Sequence, residues 1–219
     1  MKRFDCLKSL VPMLSEEIVV ISLGGQIDEW YHLRPTHKNM YIKGMGAVIP
    51  FTFGLSVALP HRKIICSDTD GSLLLNMGIL ATLGNERPNN LIVMILDNEC
   101  YETIAKHPTH TSKNVDFTKM AQGAGIKNAF TVKTVSEFKD RMEKALKLNE
   151  LSFIVLKLEP GSQAFPEAER KRSDGIEDKY NFVRYLESSE NITIFPREQK
   201  SIRKINRQET AAGAVERQN

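Results

Sequence analysis

The sequence is poor in cysteine, and its three cysteines are far apart. Cys6, Cys66 and Cys100 form no CxxC pair and do not have a zinc-binding spacing. They also lack the clustering that iron–sulfur ligands require. We therefore predict reduced thiols in a cytoplasmic protein.

The sequence also lacks a concentration of charge of one sign in its body. The formal net charge is +3, and residues 196–219, with six Lys or Arg against three Glu, account for all of it. The rest of the chain is near neutral, so no basic face indicates nucleic-acid binding. The polar segment 196–219 is predicted to be a mobile tail.

No apolar run is long enough to predict a membrane helix. Gly44 to Pro60 is free of charged residues for 17 positions, whereas a spanning helix needs about 20. Because this run contains several glycines and an internal proline, it predicts a buried helix of a protein core. Residues 2–14 predict an amphipathic helix. Charged residues interrupt any apolar region in this segment, so it is not predicted to be a signal peptide. We expect no membrane partner.

Short apolar segments alternate with helical patterns between residues 18 and 156. The predicted strands are 18–23, 64–67, 91–96, 129–132 and 153–156, and the predicted helices among them are 44–60, 72–83, 117–121 and 135–145. Residues 26–43 and 99–114 are predicted to be loops. Strands that are apolar on both faces and alternate with helices predict an α/β fold, with a mostly parallel sheet and helices on both faces.

Glycines and polar residues follow three of the predicted strands. Gly24-Gly25 follows the first strand, Asp70-Gly71-Ser72 follows the second and opens a helix, and Asp97-Asn98 follows the third. Ligands of parallel sheets bind beyond the carboxyl ends of the strands, and a helix N-terminus offers N–H groups to a phosphate. A carboxylate beside a phosphate requires a cation, and Mg²⁺ accepts carboxylate, amide and phosphate oxygens. The pattern predicts a metal–diphosphate site.

Each of these motifs also has a purely structural interpretation. An Asp-Gly pair before a helix is often an N-cap, and an Asp-Asn pair after a strand is often a turn. The two motifs lie 28 residues apart (98 − 70), each at the end of a buried strand. This combination favours the site.

Asp70-Gly71-Ser72 followed by Leu96-Asp97-Asn98 resembles the thiamine-diphosphate motif, which begins Gly-Asp-Gly and closes with Asn about 25–30 residues later. Thr69 stands in place of the first glycine. Within that family, the chain is most similar to the β-subunits of sulfopyruvate decarboxylase and to phosphonopyruvate decarboxylase. The stretches that carry this similarity are 43–46, 54–60, 71–78 and 97–102.

The resemblance implies a domain organisation and a partner. Residues 1–158 would form one thiamine-diphosphate-binding domain, and residues 159–195 a linker and a C-terminal helix that packs on it. Full-length relatives carry a second domain, whose glutamate protonates the aminopyrimidine ring of the cofactor. We expect a separate pyrimidine-domain α-subunit to supply this glutamate in a hetero-oligomer.

The resemblance also implies roles for individual residues. Mg²⁺ would bind the side chains of Asp70 and Asn98 and the backbone carbonyl of Cys100. The same pocket would hold the cofactor through Gly24, Gly25, Lys43, Gly44, Met45, Gly71, Ser72 and Tyr101, in addition to Asp70 and Asn98. Among these, the carbonyl of Lys43 would bind the aminopyrimidine, and Met45 would bend the cofactor, although a methionine there is also typical of core packing.

The loop after Tyr101 departs from the family pattern. Relatives usually have Ser-Thr-Gly-Gly-Gln-Pro-Thr or a close variant, whereas Ala105 and Lys106 stand here for the two glycines and His107 for the glutamine. His107 is a candidate catalytic acid–base or anion-binding residue, and its alternative is a solvated loop histidine. Lys106 and His107 together favour an acidic substrate.

The sequence therefore predicts the cofactor-binding subunit of a thiamine-diphosphate-dependent 2-oxoacid decarboxylase, a carboxy-lyase. One alternative keeps the cofactor but forms a carbon–carbon bond, as in acyloin or acetolactate synthesis. A subunit of a 2-oxoacid:ferredoxin oxidoreductase would need clustered cysteines, which are missing. A non-catalytic, regulatory cofactor-binding subunit is the alternative from a different class.

Overall fold

The computed structural model describes residues 1–171 and 174–195, and eight strands lie in this part of the chain. They are β1 (Ile18–Ser22), β2 (Asn39–Ile42), β3 (Ile64–Thr69), β4 (Leu91–Asp97), β5 (Cys100–Tyr101), β6 (His107–Pro108), β7 (Asn128–Val132) and β8 (Ser152–Lys157). Six strands form one sheet in the order β2-β1-β3-β4-β8-β7, and every pair in it is parallel. The short strands β5 and β6 form a separate antiparallel hairpin.

Eight α-helices accompany the strands in the described residues. They are α1 (Arg3–Leu10), α2 (Gln26–Leu33), α3 (Val48–Ala58), α4 (Asp70–Leu74), α5 (Ile79–Glu86), α6 (Phe117–Gly123), α7 (Val135–Lys147) and α8 (Gly175–Glu190). Short 3₁₀ turns occur at Val11–Met13, His110–Ser112 and Glu167–Glu169.

Helices cover both faces of the six-stranded sheet. Helices α1, α2 and α7 pack against one face, and α3, α5 and α6 form the layer on the other. Because successive strand residues point to opposite faces, both sets must be apolar, and β4 is buried at all seven positions. The predicted parallel α/β sheet with helices on both faces is confirmed.

The chain divides into two compact units within α8, Met1–Phe182 and Val183 onward. In the second unit, Glu187 Oε1 accepts hydrogen bonds from the backbone N–H groups of Ile194 and Phe195, both at 2.9 Å. The predicted tail, 196–219, lies outside the described residues. The domain boundaries predicted at 158 and 195 remain predictions.

The prediction of a loop over 26–43 is wrong. Helix α2 and strand β2 occupy most of it, and both are short and rich in polar residues. The helix shows only two apolar residues with core burial, Ile27 and Trp30. Strand β2 lies at the sheet edge, and its burial alternates. Elements of eight and four residues are too short to give a clear periodicity.

The predicted helix 72–83 is two helices, α4 and α5, separated at residues 75–78. A residue of this interruption makes a specific contact. The Asn76 side chain donates a hydrogen bond to the Gly46 carbonyl oxygen at 2.8 Å. The loop that follows β2 is thereby attached to the segment between α4 and α5.

The uncharged helix is shorter than predicted and only half buried. Val48, Ile49 and Thr52 of α3 are buried, but Phe51 is 40% exposed and Val57 is 60% exposed. The expectation of a fully buried helix is therefore wrong on one face. Within the described residues, every helix is too short or too polar to cross a lipid bilayer.

Helices α5 and α6 approach each other so closely that Gly84 has no room for a side chain. A Cβ atom on Gly84 would lie 1.7 Å from the carbonyl oxygen of Ala124. We expect Gly84→Ala to lower the free energy of unfolding by about 1–3 kcal/mol through overpacking, measured by denaturant titration. Gly54→Ala in α3 is the matched control, because no atom lies within 4 Å of its added methyl. A gain of helix propensity of about 0.5–1 kcal/mol is expected there, and equal effects of the two substitutions would contradict the close packing.

Candidate functional site

The sheet order creates a crevice between β1 and β3. The chain leaves β1 for β2 on one side and returns to β3 on the other, so the connections diverge beyond the carboxyl ends of these two strands. Such a switch point is where open parallel sheets bind ligands. Gly24-Gly25 follows β1 and Asp70 follows β3, so the structure places both motifs at this crevice.

Asp70 begins α4 and is 1% exposed. Its Oδ2 accepts a hydrogen bond from the Thr109 hydroxyl at 2.7 Å and a longer one from the Thr111 hydroxyl at 3.4 Å. Burial, with a further contribution from the nearby Asp97 carboxylate, raises the pKa of Asp70 to about 6 despite these donors. No ion pair reaches this carboxylate in the described part of the chain. A buried carboxylate without a counter-charge is a good site for a cation.

Asp97, at the end of the adjacent β4, is different because its charge is compensated. Its Oδ2 accepts a hydrogen bond from Lys157 Nζ at 2.8 Å, and its Oδ1 accepts one from the Thr111 hydroxyl at 2.7 Å. The same ammonium group contacts Glu99 at 2.7 Å. Thr111 therefore bridges the ends of β3 and β4, and Asp70 is the one of the two carboxylates left without a cation.

Asn98 follows Asp97 and is 7% exposed. Its Oδ1 accepts a hydrogen bond from the Cys100 N–H at 3.2 Å, and its Nδ2 donates to Glu102 Oε2 at 3.0 Å. Burial, followed by the carboxylates of Glu102 and Asp70, raises the pKa of the Cys100 thiol. Opposite Cys100 in the hairpin stands Pro108, which has no N–H to donate to the Cys100 carbonyl.

Thr69, which replaces the expected glycine, is the N-cap of α4. Its backbone has a φ of −110°, so this position does not require glycine, and its Oγ1 accepts a hydrogen bond from the Ser72 N–H. Gly71 does require glycine, because a Cβ there would lie 2.4 Å from Tyr101 Cε1. Tyr101 thus packs directly against the first turn of α4.

The loop between β2 and α3 is held at the same crevice. The Ser72 hydroxyl accepts a hydrogen bond from the Gly46 N–H at 2.9 Å, which complements the bond from Asn76 to the Gly46 carbonyl. Gly46 has a φ of +74°, a left-handed conformation that favours glycine. In this loop Met45 is half-buried, while Lys43 and Gly44 are exposed, so Met45 is not a core residue.

The two glycines after β1 differ in their surroundings. Gly24 has a φ of +91° and open space at its Cβ position. A Cβ on Gly25 would lie 2.1 Å from Ser162 Oγ and 2.7 Å from Arg3 Nη2. Gly25 therefore permits the close approach of α1 and of residues 159–163, while Gly24 leaves space at the crevice.

Two buried polar atoms at the switch point have no hydrogen-bond partner in the described residues. They are Ser22 Oγ, at the end of β1, and Asp68 Oδ2, in the neighbouring β3. Burial raises the pKa of Asp68. The hydroxyl groups of Ser22 and Ser72 lie close enough to Asp68 to oppose this rise, so these two atoms do not by themselves indicate a ligand.

His107 and Lys106 are exposed in the β5–β6 hairpin, and no described side-chain hydrogen bond joins His107 to Asp70 or Asn98. Ala105 and Lys106 have φ angles of 51° and 53°, a left-handed conformation that glycine adopts more readily than residues with a side chain. The catalytic role of His107 stays a prediction.

The donor set at the crevice suits Mg²⁺ and a diphosphate, but not a metal held by protein alone. The described residues contain no group of three or more His, Cys, Asp or Glu side chains that could hold a metal. A cation at Asp70 and Asn98 would need oxygen atoms from its ligand, and Mg²⁺ commonly combines one or two protein oxygens with phosphate oxygens and water. Asp70 and Asn98 therefore fit a site for Mg²⁺ that is completed by a diphosphate.

Comparisons with known proteins point to the same cofactor. Residues 24–156 match the family model described as the thiamine pyrophosphate enzyme, C-terminal TPP binding domain. The chain belongs to the thiamine pyrophosphate enzymes. Thiamine diphosphate is the cofactor of this family.

Two curated relatives of this thiamine pyrophosphate enzyme are named as decarboxylases. The chain is 35% identical to the sulfopyruvate decarboxylase subunit beta of Methanocaldococcus jannaschii, over 73% of this chain and 85% of that protein. It is 31% identical to the phosphonopyruvate decarboxylase of Streptomyces viridochromogenes, over 73% of this chain but only 40% of that protein.

A solved structure supports the fold. It is a putative thiamin diphosphate-dependent enzyme from Mycobacterium smegmatis, with a TM-score of 0.64 at 16% identity, and the match covers 74% of this chain and 32% of that one. The matched segment therefore spans most of the β-subunit from Methanocaldococcus jannaschii and about a third of the chain from Mycobacterium smegmatis.

Sequence reasoning missed the residues that support the predicted ligands. Thr109 and Thr111 contact Asp70, Lys157 contacts Asp97, and Glu102 contacts Asn98. Thr109 and Glu102 do lie in or beside stretches that resemble the family, but nothing in their spacing distinguishes them from loop residues.

The burial of Asp70 predicts an unusual pH dependence for the metal-free chain. A folded-state pKa of about 6, above the ordinary value of 3.8 for an aspartate, means that the native state holds the extra proton between these two pH values. Stability should therefore fall as the pH rises from about 4 to about 6. Asp70→Asn should remove this pH-dependent loss of stability. It should therefore raise the free energy of unfolding by about 1–2 kcal/mol at pH 7. Denaturant titrations at pH 4 and pH 7 without metal measure the free energy of unfolding of both proteins. An equal or lower stability of the variant at pH 7 would show that the buried charge of Asp70 does not destabilise the fold.

Proposed function

We propose that this chain is the thiamine-diphosphate-binding β-subunit of a two-subunit 2-oxoacid decarboxylase of the cytoplasm, with Mg²⁺ as the cation of its site. The observation that carries the proposal is the Asp70 carboxylate, buried at the switch point of the sheet without a counter-charge. The names of the relatives support the decarboxylase reaction and the β-subunit assignment.

In this proposal, Asp70, Asn98 and the Cys100 carbonyl hold the cation. Thr109 and Thr111 donate hydrogen bonds to Oδ2 of Asp70, which fixes the carboxylate and partly offsets its desolvation. Gly71 and Ser72, in the first turn of α4, would lie beside the diphosphate, where the positive end of a helix favours an anion.

Lys43, Gly44 and Met45, in the loop after β2, would hold the remaining part of the cofactor. Gly46 attaches this loop to Ser72 of α4 and to Asn76 just after it, which restrains the neighbouring Met45. Thiamine diphosphate, when bound, would supply the nucleophile and the electron sink for decarboxylation of a 2-oxoacid. The chain's own contribution is to bind, bend and orient this group.

A partner chain has to cover the exposed side of this site. Large apolar side chains near it are open to solvent, namely Phe51 at 40%, Val57 at 60%, Leu75 at 62% and Ile104 at 59%. A helix face of this kind, α3 with no charged residue, is typical of a protein interface. The partner we propose is a pyrimidine-domain α-subunit that supplies the activating glutamate.

The substrate we propose is a small 2-oxoacid with a second acidic group. Lys106 and His107 are exposed on the hairpin beside Tyr101, where a partner chain could enclose them. A cation in a cleft that excludes water attracts an anion more strongly than in bulk solvent. The sulfonate and phosphonate in the substrates named for the two relatives support this choice.

The departures from the family motif do not favour a non-catalytic subunit. Thr69 caps α4 without needing a glycine conformation, and the hairpin keeps its left-handed turn at Ala105 and Lys106. Asp70 and Asn98 are both in place at adjacent strand ends.

The first test concerns the requirement for a partner. We expect the purified single chain, with thiamine diphosphate and Mg²⁺, to release no CO₂ from 2-oxoacids, because its site has one wall and lacks the activating glutamate. Activity should appear when the pyrimidine-domain chain is added, measured as CO₂ release. Full turnover by the single chain would refute the two-subunit proposal, and an inactive complex would refute the decarboxylase proposal.

The second test concerns the acidic substrate. In the assembled enzyme, Lys106→Met should raise KM for sulfopyruvate by about tenfold or more, and should change KM for pyruvate by less than about twofold. Lys113→Met is the matched control, since Lys113 is an exposed lysine a few residues further along, and it should affect neither substrate. Equal changes for both substrates would show that Lys106 faces solvent.

A further inference from the structure

Glu102 connects the proposed metal site to two distant parts of the chain, Arg3 and Ser162. Its Oε2 accepts hydrogen bonds from Asn98 Nδ2 at 3.0 Å and from Arg3 Nη1 at 3.4 Å. Its Oε1 accepts a hydrogen bond from the Ser162 hydroxyl at 3.0 Å. The side chain is only 19% exposed, so these contacts are largely protected from water.

The contact with Glu102 determines how the Asn98 amide is oriented. In the observed orientation Nδ2 faces the carboxylate, and Oδ1 faces the Cys100 N–H. The reversed orientation would place an amide oxygen against a carboxylate oxygen and an NH₂ group against an N–H, which is unfavourable at both ends. The Asn98 oxygen, the atom that can bind a cation, is therefore kept away from Glu102.

Glu102 is itself held by a buried ion pair. Arg3 donates to both oxygens of Glu29, from Nε at 2.8 Å and from Nη2 at 3.1 Å. Arg3 is 6% exposed and Glu29 is fully buried. A bidentate pair in such an environment has one strongly preferred geometry. Arg3 is therefore held in one position, from which it donates hydrogen bonds to Glu102 and Ser162.

Residues 159–163 close this arrangement from the C-terminal side of β8. The Ser162 hydroxyl accepts a hydrogen bond from Arg3 Nη2 at 2.7 Å, and the Gln163 N–H donates one to Glu29 at 2.9 Å. Gly25 lies directly beneath, where a Cβ would overlap Ser162 Oγ. The segment that the sequence predicts as a linker is thus packed on α1 and on the turn after β1.

Glu102 does not have the contacts expected of a metal ligand. Three donors already occupy its two oxygens, and one of them belongs to the amide that points its own oxygen elsewhere. We propose that Glu102 is a positioning residue, which orients the Asn98 amide for the cation and is held in place by Arg3, Glu29 and Ser162. This inference rests on the proposed Mg²⁺ site.

The test measures metal affinity directly, with Mn²⁺ as the probe. The full-length chain is assembled with its partner subunit and thiamine diphosphate, and free Mn²⁺ is followed by its electron paramagnetic resonance signal. Glu102→Ala leaves Asn98 Nδ2 without its acceptor, so Mn²⁺ should bind about tenfold or more weakly, as is typical when a partner of a metal ligand is lost. Glu102→Gln keeps an oxygen that can accept the same hydrogen bond, and should bind Mn²⁺ within about threefold of wild type.

Controls separate positioning from charge and from stability. Glu16→Ala removes an exposed acidic residue that pairs with Lys38 and should leave Mn²⁺ affinity unchanged. If Glu102→Gln bound Mn²⁺ as weakly as Glu102→Ala, the charge and not the hydrogen bond would be responsible, and the inference would be wrong. A purely structural role would lower the unfolding temperature of Glu102→Ala but leave its Mn²⁺ affinity at the wild-type value, which would also overturn it. Failure of the assembled wild type to bind Mn²⁺ would instead refute the metal site itself.

Discussion

The burial of the Asp70 carboxylate without a cation is the constraint on which the rest of the site depends. Removing a carboxylate from water costs several kcal/mol, and two threonine hydroxyls return only part of this. The sheet order puts this cost at the centre of the molecule's crevice, at the end of β3. The fold therefore holds one unfavourable charge in place, and a bound divalent ion would convert it into an attraction.

Two other carboxylates near the crevice have their charge compensated by a basic side chain. Asp97 has Lys157, and Glu29 has Arg3 in a buried bidentate pair. Each of these acids is paired with a long basic side chain, so each is compensated by the chain alone. Asp70 has no such partner among the described residues. This difference supports the proposal that Asp70 binds a cation.

The sequence predicted five of the six strands of the main sheet, and it identified the motif residues, because both are local signals. Continuous apolar runs such as Leu91–Leu96 identify buried parallel strands, and Asp70 and Asn98 are recognisable because each follows one of them. The supporting contacts could not be predicted, because they join residues far apart in the chain. Thr109 lies 39 residues from Asp70, and Arg3 lies 99 residues from Glu102. Only the folded sheet brings such residues together.

The hairpin between β5 and β6 has a consequence for local opening. Glu99, Ala105 and Lys106 all have left-handed backbone conformations, and each such residue with a side chain costs about 1–2 kcal/mol. The closed hairpin is therefore less favoured over open forms than a glycine-containing turn would be. Segments with low opening energies exchange their amide hydrogens first. The amide hydrogens of this hairpin are therefore expected to exchange before those of β3 and β4, the two strands that Asp70 and Asn98 follow.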